Sequence, residues 1–338
     1  MSSLGETAVT AEPVALDSAA PLTLTVLICA YTLERWHDIT AAVESLRAQT
    51  RPPDQVVLIS DHNDDLLARA RAAFPDVTCV PSDGPPGLSG ARNTGVTLAT
   101  GDIVAFLDDD AAAEPDWAER LLAAYSDDNV LGVGGGVLPS WRAPRPAWFP
   151  EEFLWVVGCS YRGQPDTRAP IRNPIGANMS FRRQVFTTVG GFDSSVGRLG
   201  KDAAGCEETE FSIRARRHHP AGRILIDPSA VCRHVVTPER VTGAYFRRRC
   251  RAEGRSKAII SGLTDGGSAL SSERVYVLRT LPGGILRGVR DLLRGDRAGA
   301  ARAWRIVEGT ALTTASYVAM RMRLARPTRR VAAPRTAG

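Results

Sequence analysis

The sequence predicts an α/β fold: a mixed, mostly parallel central sheet with helices on both faces, plus a C-terminal helical extension. Three observations lead there. Between about residues 22 and 138, short apolar runs alternate with stretches of helical period. Those runs are apolar almost throughout, as expected of strands covered on both faces. From Val275 to Met322, apolar residues and arginines recur at roughly helical spacing, interrupted by Pro282-Gly283-Gly284.

Leu22 to Ala30 reads as the first buried strand and Tyr31 to Trp36 as a loop. Asp38 to Gln49 carries Ile39, Ala42, Val43 and Leu46 on one helical face and stops before Pro52-Pro53. Gln55 to Ser60 is a second strand, ending at the polar turn Asp61-His62-Asn63-Asp64. A helix over Asp65 to Phe74 and a short strand over Val77 to Val80 follow, then a Pro/Gly-rich loop from Pro81 to Gly90 and a helix from Arg92 to Ala99. Ile103 to Leu107 is a fourth strand that runs directly into Asp108-Asp109-Asp110. Pro115 to Tyr125 reads as a helix and Val130 to Leu138 as a Gly-rich strand. Pro139 to Arg172 is aromatic, Pro-rich and irregular. Beyond it, Met179 to Phe186 forms an element, Cys206 to Arg217 a helix, Arg223 to Val236 strand-like runs, and Tyr245 to Ser261 a strongly basic helix.

The net charge of +5 over 338 residues is mild, but its distribution is uneven. Arginines concentrate from Arg214 to Lys257 and after Arg287, whereas Asp54 to Asp116 is acidic. A basic half beside an acidic site suits anionic partners such as phosphates or a lipid surface, against the plainer reading of solvated faces. No recognisable RNA or DNA module accompanies the charge, so nucleic acid is not expected. The six cysteines form no Cys-x-x-Cys pair and several sit in apolar runs, which argues for reduced thiols. The first ~20 residues lack a basic n-region and an apolar core, so a disordered leader is expected. No apolar run reaches the ~18 residues of a spanning helix. A cytoplasmic protein, peripheral at most on the inner face of the plasma membrane, is the expectation.

Three aspartates at the end of a buried strand repel one another and call for solvent or a cation. Carboxylate oxygens suit hard Mg2+ or Mn2+, which also takes phosphate oxygens and can offset charge on a departing diphosphate. The competing reading is an acidic turn in which Asp110 or Glu114 caps the following helix. In open α/β sheets ligands gather at the carboxyl ends of the strands, and the loops after Ala30, Ser60 and Leu107 are expected to converge there.

The order of motifs makes the resemblance specific. Val26-Leu27-Ile28-Cys29-Ala30-Tyr31 and Val57-Leu58-Ile59-Ser60-Asp61 come first. Gly87-Leu88-Ser89-Gly90-Ala91-Arg92-Asn93-Thr94-Gly95 and Ala105-Phe106-Leu107-Asp108-Asp109-Asp110 follow. Gly176-Ala177-Asn178-Met179-Ser180-Phe181-Arg182, Gly190-Gly191-Phe192-Asp193 and Gly205-Cys206-Glu207-Glu208-Thr209-Glu210-Phe211 complete the series. This pattern, spanning about residues 22 to 236, resembles the family-2 inverting glycosyltransferases, whose donor domain has the GT-A fold.

The resemblance implies a nucleotide-sugar donor, commonly UDP-linked, and a hydroxyl-bearing acceptor that could be lipid-linked, a polysaccharide or a natural product. Ala30, Tyr31, Glu34 and Asp61 would hold the nucleoside, although Ser60-Asp61-His62 departs from the usual pair of acids. Arg92 would lie near the diphosphate, with Asp108 and Asp109 on the donor and Asp110, together with Asp108, on the metal. Glu208 falls on the position of the catalytic base, with Glu207 as its neighbour and rival; both could instead stabilise a helix N-terminus. Asn178 would touch acceptor or donor sugar. Trp148 and Trp155 either stack on sugar or belong to the core, and His234 is either a further metal ligand or structural. The implied organisation is a leader (1–21), a donor half (22–138), an acceptor and catalytic half (139–240), a basic amphipathic extension (241–325) and a flexible tail (326–338). The Arg-rich helix from Tyr245 and the Val275 to Met322 stretch suit an anionic membrane surface or an acceptor phosphate. A nucleotidyltransferase making a nucleotide sugar from a nucleoside triphosphate is the alternative, though Cys29-Ala30-Tyr31-Thr32-Leu33 lacks its Gly-rich phosphate loop.

Overall fold

The computed structural model describes residues 21–194, 206–263 and 274–325. The expected leader, apart from its last residue, and the expected tail lie outside the described residues. Strand β1 (Leu24–Ala30) is flanked by β2 (Gln55–Ser60) and β4 (Ile103–Asp108), and β3 (Thr78–Pro81) pairs on β2, all parallel. The helices between them are α1 (Trp36–Arg47), α2 (Asp64–Ala73) and α3 (Leu88–Leu98). Side-chain alternation explains why the strands are apolar throughout. Leu24, Val26, Ile28 and Ala30 pack with Ile39, Leu66 and Trp117 on one face; Leu27 packs with Val57, Ala91, Phe106 and Phe181 on the other.

Past β4 the sheet turns mixed. Strand β8 (Asn178–Arg182) pairs antiparallel with both β4 and β6 (Val130–Trp141), and β6 runs parallel to the long β9 (Arg223–Val236). With β5 spanning Ala111–Ala113, the order is β3-β2-β1-β4-β8-β6-β9-β5, with the two-residue β7 (Ala169–Pro170) also on β9. Strand β5 was not foreseen. Three alanines have no β preference of their own; pairing with β9 at Ala111↔His234 makes them a strand. Likewise Met179 to Phe186 is not one element: it divides between β8 and α5 (Arg183–Val189). Helix α4 (Trp117–Ala123) and α6 (Glu207–His218) complete the sandwich.

A register shift in the β6–β9 ladder falls between Gly135 and Gly136, opposite Asp227 to Val231. A Cβ on Gly135 would lie 2.1 Å from the Ala230 carbonyl oxygen and 2.2 Å from Asn178 Nδ2, so only glycine lets these backbones close around Asn178.

Among the described residues, the C-terminal region carries the helices α7 (Gly243–Leu263), α8 (Leu281–Leu293, after a π-helical stretch Tyr276–Thr280) and α9 (Ala298–Leu324). They are anchored to the irregular 139–172 segment through Trp148, Phe149, Phe153 and Phe246, whose ring centroids lie 5.2–6.0 Å apart. Helices α7 and α9 meet so closely at Gly254 that a Cβ there would stand 2.2 Å from the Thr313 carbonyl oxygen. Among the described residues no helix is long and apolar enough to cross a membrane.

Candidate active site

The sheet's topology creates the site. Strand β1 leads its chain toward β2 on one side while β4 lies on the other, and a crevice opens where the connections diverge. A cavity of about 1390 Å³ fills it and extends under α7 and α9. Ala30 and Tyr31 follow β1, Asp61 follows β2, and Asp108, Asp109 and Asp110 follow β4, all on its wall with Arg92, Trp155, Glu207, Glu208 and His234.

Asp109 and Asp110 are buried and Asp108 is half-buried. The β5–β9 pairing brings His234 Nε2 to 3.1 Å from Asp110 Oδ1. Asp108, Asp110 and His234 each offer one ligand atom, and these atoms lie within 4.8 Å of one another. Two arginines complete the cluster: Arg35 Nη1 lies 2.8 Å from Asp109 Oδ1 and 3.2 Å from Asp110 Oδ2, and Arg240 Nη2 lies 3.3 Å from Asp110 Oδ2. Burial and the neighbouring Asp110 charge push the Asp109 carboxyl up to about 7. Burial works the same way on Asp110, yet His234, Arg240 and Arg35 hold it below the usual carboxylate range. Burial opposes the His234 charge, but Asp110 raises this imidazole to about 10. The capping reading of the acidic turn does not hold. Asp110 is committed to these cations, Glu114 pairs with Arg233 at 2.5 Å, and α4 has no side-chain cap.

The donors fit a divalent cation. Two carboxylates and an imidazole suit Mn2+ or Mg2+ at a strand end, and Asp109 Oδ2 is buried without a hydrogen-bond partner among the described residues.

Arg92 links this cluster to the acid pair. Its Nη1 donates to Glu207 Oε1 at 3.1 Å and its Nη2 to the Gly176 carbonyl at 3.2 Å, with Asp108 Oδ1 3.6 Å away. Phe106 and Phe192 flank the guanidinium at 5.7 and 5.6 Å. Arg92 thus reaches the cavity wall as a buried member of an ion-pair network. Glu207 is equally buried, at the first turn of α6, whereas Glu208 is half-buried on the same cavity. Asp61 accepts the Gly87 N–H through Oδ2 at 2.9 Å, and its Oδ1 is buried without a hydrogen-bond partner among the described residues, with His62 Nε2 3.8 Å away.

Three expected site residues are placed elsewhere. Glu34 is exposed in a 3-10 turn (Leu33–Arg35) and does not line the cavity; its successor Arg35 does. Asn178 is fully buried and spends its whole side chain on structure: Nδ2 donates to the Gly136 and Ala230 carbonyls at 3.0 and 2.9 Å, and Oδ1 accepts the Trp117 indole N–H at 2.9 Å. Trp148 is half-buried and packs against the core, stacked on Phe149 at 5.2 Å and covered by the Arg305 guanidinium at 4.7 Å. Trp155 stays on the cavity wall, donating to the Tyr276 hydroxyl at 3.2 Å. Trp148→Ala should therefore cost about 3 kcal/mol of stability and leave the acceptor KM unchanged, as read by chemical denaturation beside steady-state kinetics. Arg35 and Arg240 were missed. Neither stands in a recognisable motif, and Arg240 is brought to Asp110 by the turn after β9, a short 3-10 segment (Pro238–Val241).

Known proteins share this architecture. The profile of the family described as "Glycosyl transferase family 2" matches residues 25–190. The glucosyl-dolichyl phosphate glucuronosyltransferase of Haloferax volcanii is 36% identical over 241 residues, covering 70% of this chain and 77% of that protein. The succinoglycan biosynthesis protein ExoM of Rhizobium meliloti is 27% identical over 242 residues, covering 68% and 72%. In fold, the chain is similar to a mannosyltransferase from Pyrobaculum calidifontis solved with GDP-Man and Mn2+, with TM-score 0.58, 18% identity and 89% of each chain covered. With these relatives and this site at the carboxyl ends of the strands, the chain belongs to glycosyltransferase family 2 and is a GT-A-fold glycosyltransferase.

Proposed function

We propose that the protein transfers a sugar, with inversion at its anomeric carbon, from a uridine-diphosphate sugar to a hydroxyl of a lipid-phosphate-linked saccharide. The observation that carries this reading is the placement of the Asp108, Asp110 and His234 donors and of Glu208 on the wall of one cavity. The acceptor hydroxyl oxygen attacks the anomeric carbon as the bond to the diphosphate oxygen breaks, and the leaving pair stays on the diphosphate. Glu208 takes the hydroxyl proton. Glu207 is the less suited of the pair, because its Oε1 is already engaged by Arg92 inside the protein. Asp108, Asp110 and His234 would hold Mn2+ or Mg2+, which supplies positive charge against the leaving diphosphate when bound.

Uridine is favoured by Asp61. One of its oxygens accepts from Gly87, and the other, with His62 Nε2 3.8 Å away, is the buried acceptor without a hydrogen-bond partner among the described residues. A single acceptor matches the lone imide N–H of uracil, whereas guanine presents adjacent N–H groups. The lipid-phosphate acceptor is supported by the Haloferax relative's name and by the cationic Arg249 and Lys257, which line the α7 side of the same cavity. On this reading residues 22–138 serve the donor and 139–240 the acceptor, with 241–325 closing the cavity. Incubation with a panel of nucleotide sugars and Mn2+ tests it. Uridine diphosphate should appear, and faster with a polyprenyl-phosphate-linked saccharide. Release of pyrophosphate from a nucleoside triphosphate and a sugar phosphate would establish the nucleotidyltransferase alternative instead.

The His234–Asp110 contact implies a pH dependence with a definite sign. His234 is cationic below about 10, so the metal must displace its proton. Raising the pH removes that competitor, and Mn2+ affinity should rise by up to about tenfold per unit between roughly pH 6.5 and 8.5. Calorimetry in buffers of different ionisation enthalpy should show about one proton released per ion, and His234→Gln should flatten the profile. A flat profile in the wild-type protein would remove His234 from the ligand set.

A further inference from the structure

The basic helix singled out in the sequence, α7, packs one face into the protein and leaves Arg248 and Arg251 exposed on the other. Its Phe246 and Cys250 are buried, and its Arg247 reaches Glu308 of α9 at 3.6 Å. Among the described residues, the apolar face left without a partner lies on α8. There Leu281, Gly284 and Gly288 are buried, Gly288 against Gly299 and Ala303 of α9 and Gly284 against Ile306 and Glu152. Pro282, Leu286, Val289 and Leu293 recur at i, i+4, i+7 and i+11 and so form one stripe along the remaining surface. Leu286 is 69% and Leu293 81% exposed, and Leu278, four residues before Pro282, is 72% exposed. Trp304 of α9, at 63%, adds an exposed indole. Singly exposed leucines need no explanation, but a continuous row on an amphipathic helix does.

We infer that α8 is an interfacial anchor that lies in the plane of an anionic bilayer, with this stripe inserted among the acyl chains. Charge complementarity selects this occupant. Arg279, Arg290 and Arg294 are exposed beside the stripe, while the neighbouring acids Asp291 and Asp296 are both engaged by Arg302 at 2.9 and 2.6 Å. Apolar side chains flanked by arginines match a headgroup boundary carrying negative charge. Thirteen residues make a helix of about 20 Å, too short to span but sufficient to lie flat. The anchor is also continuous with the active-site cavity: Val275, Tyr276, Val277 and Leu281, at its leading end, line that cavity. Docking through α8 would therefore set the cavity mouth on the bilayer, where a lipid-linked acceptor presents its saccharide. That last step rests on the proposed acceptor; the docking itself does not.

Co-sedimentation of the full-length protein with phosphatidylcholine vesicles, with and without phosphatidylglycerol, tests the docking in the absence of any acceptor. Phosphatidylglycerol should be required at physiological salt. The double substitution Leu286→Glu/Leu293→Glu should weaken partitioning by about a hundredfold. Arg290→Glu/Arg294→Glu should do so by about tenfold. All variants should retain wild-type uridine diphosphate release from donor to water, which shows that fold and donor site are intact. Vesicle binding that survives the leucine substitutions, or no binding by the wild-type protein, would overturn the anchor. So would a concentration-dependent dimer that ignores vesicles and falls apart in the leucine variant, because a second copy would then cover the face. If docking holds while no lipid-linked saccharide is used, the acceptor assignment fails and the anchor stands.

Discussion

Glutamine in place of Glu208 should lower turnover by about a thousandfold while the dissociation constant of uridine diphosphate with Mn2+ stays within about twofold. The amide keeps the shape of the side chain and removes its basicity. Loss therefore falls on proton removal from the acceptor hydroxyl and not on donor binding. Glu207→Gln should behave differently. It breaks the 3.1 Å pair with Arg92 and leaves a buried guanidinium facing Asp108 alone. Breaking a buried pair costs about 3 kcal/mol or more, so thermal stability and donor affinity should fall together. Parallel measurement of nucleotide binding, melting temperature and single-turnover transfer separates the two acids. If Glu207→Gln abolishes transfer with binding and stability intact, the base is Glu207 and the assignment of Glu208 is wrong.

Asp110→Asn should abolish Mn2+-dependent nucleotide binding and lower transfer by about a thousandfold or more. Asp110 is the central carboxylate: His234, Arg35 and Arg240 all approach it within 3.3 Å, and it shares the metal-ligating set with Asp108. The neutral amide gives up the charge a divalent ion requires. It also leaves three cationic groups with one less anion, a destabilisation that Asp109 partly offsets. Its carboxyl, held up near 7 by burial and by the Asp110 charge, should ionise more readily once that neighbour is neutral. The folded variant should therefore be recoverable near neutral pH, and its binding can be read by calorimetry with uridine diphosphate and Mn2+. Wild-type Mn2+-dependent turnover in this variant would remove Asp110 from the metal site.

Much of the sheet was legible because strands buried on both faces leave a strong signal. Gln55 to Ser60 and Arg223 to Val236 coincide with strands to the residue, and the fourth strand, read to Leu107, extends one residue further to Asp108. Helix boundaries slipped by one to four residues, since a helix end depends on which neighbours take up its free backbone groups. The motif around Asn178 was visible but its role was not. A buried amide and one facing a ligand look alike in sequence, and only the Gly135 approach and the Trp117 indole show where this one spends its hydrogen bonds. Trp148 and Trp155 present the same ambiguity. Seven residues apart in one irregular segment, one packs on Phe149 and Phe246 and the other faces the cavity.

By itself the sequence determined the α/β class, the family and the acidic turn after the fourth strand, because periodicity and local motif order are properties of the chain. Tertiary structure alone decided that Arg35 and Arg240 neutralise Asp109 and Asp110, that Arg92 pairs with Glu207, and that α8 keeps an apolar row uncovered among the described residues. These pairs join residues 74, 130 and 115 positions apart. Electrostatic energy depends on distance in space, which no local pattern encodes. Whether a leucine row meets a core or a bilayer depends on which surfaces the folded chain leaves bare.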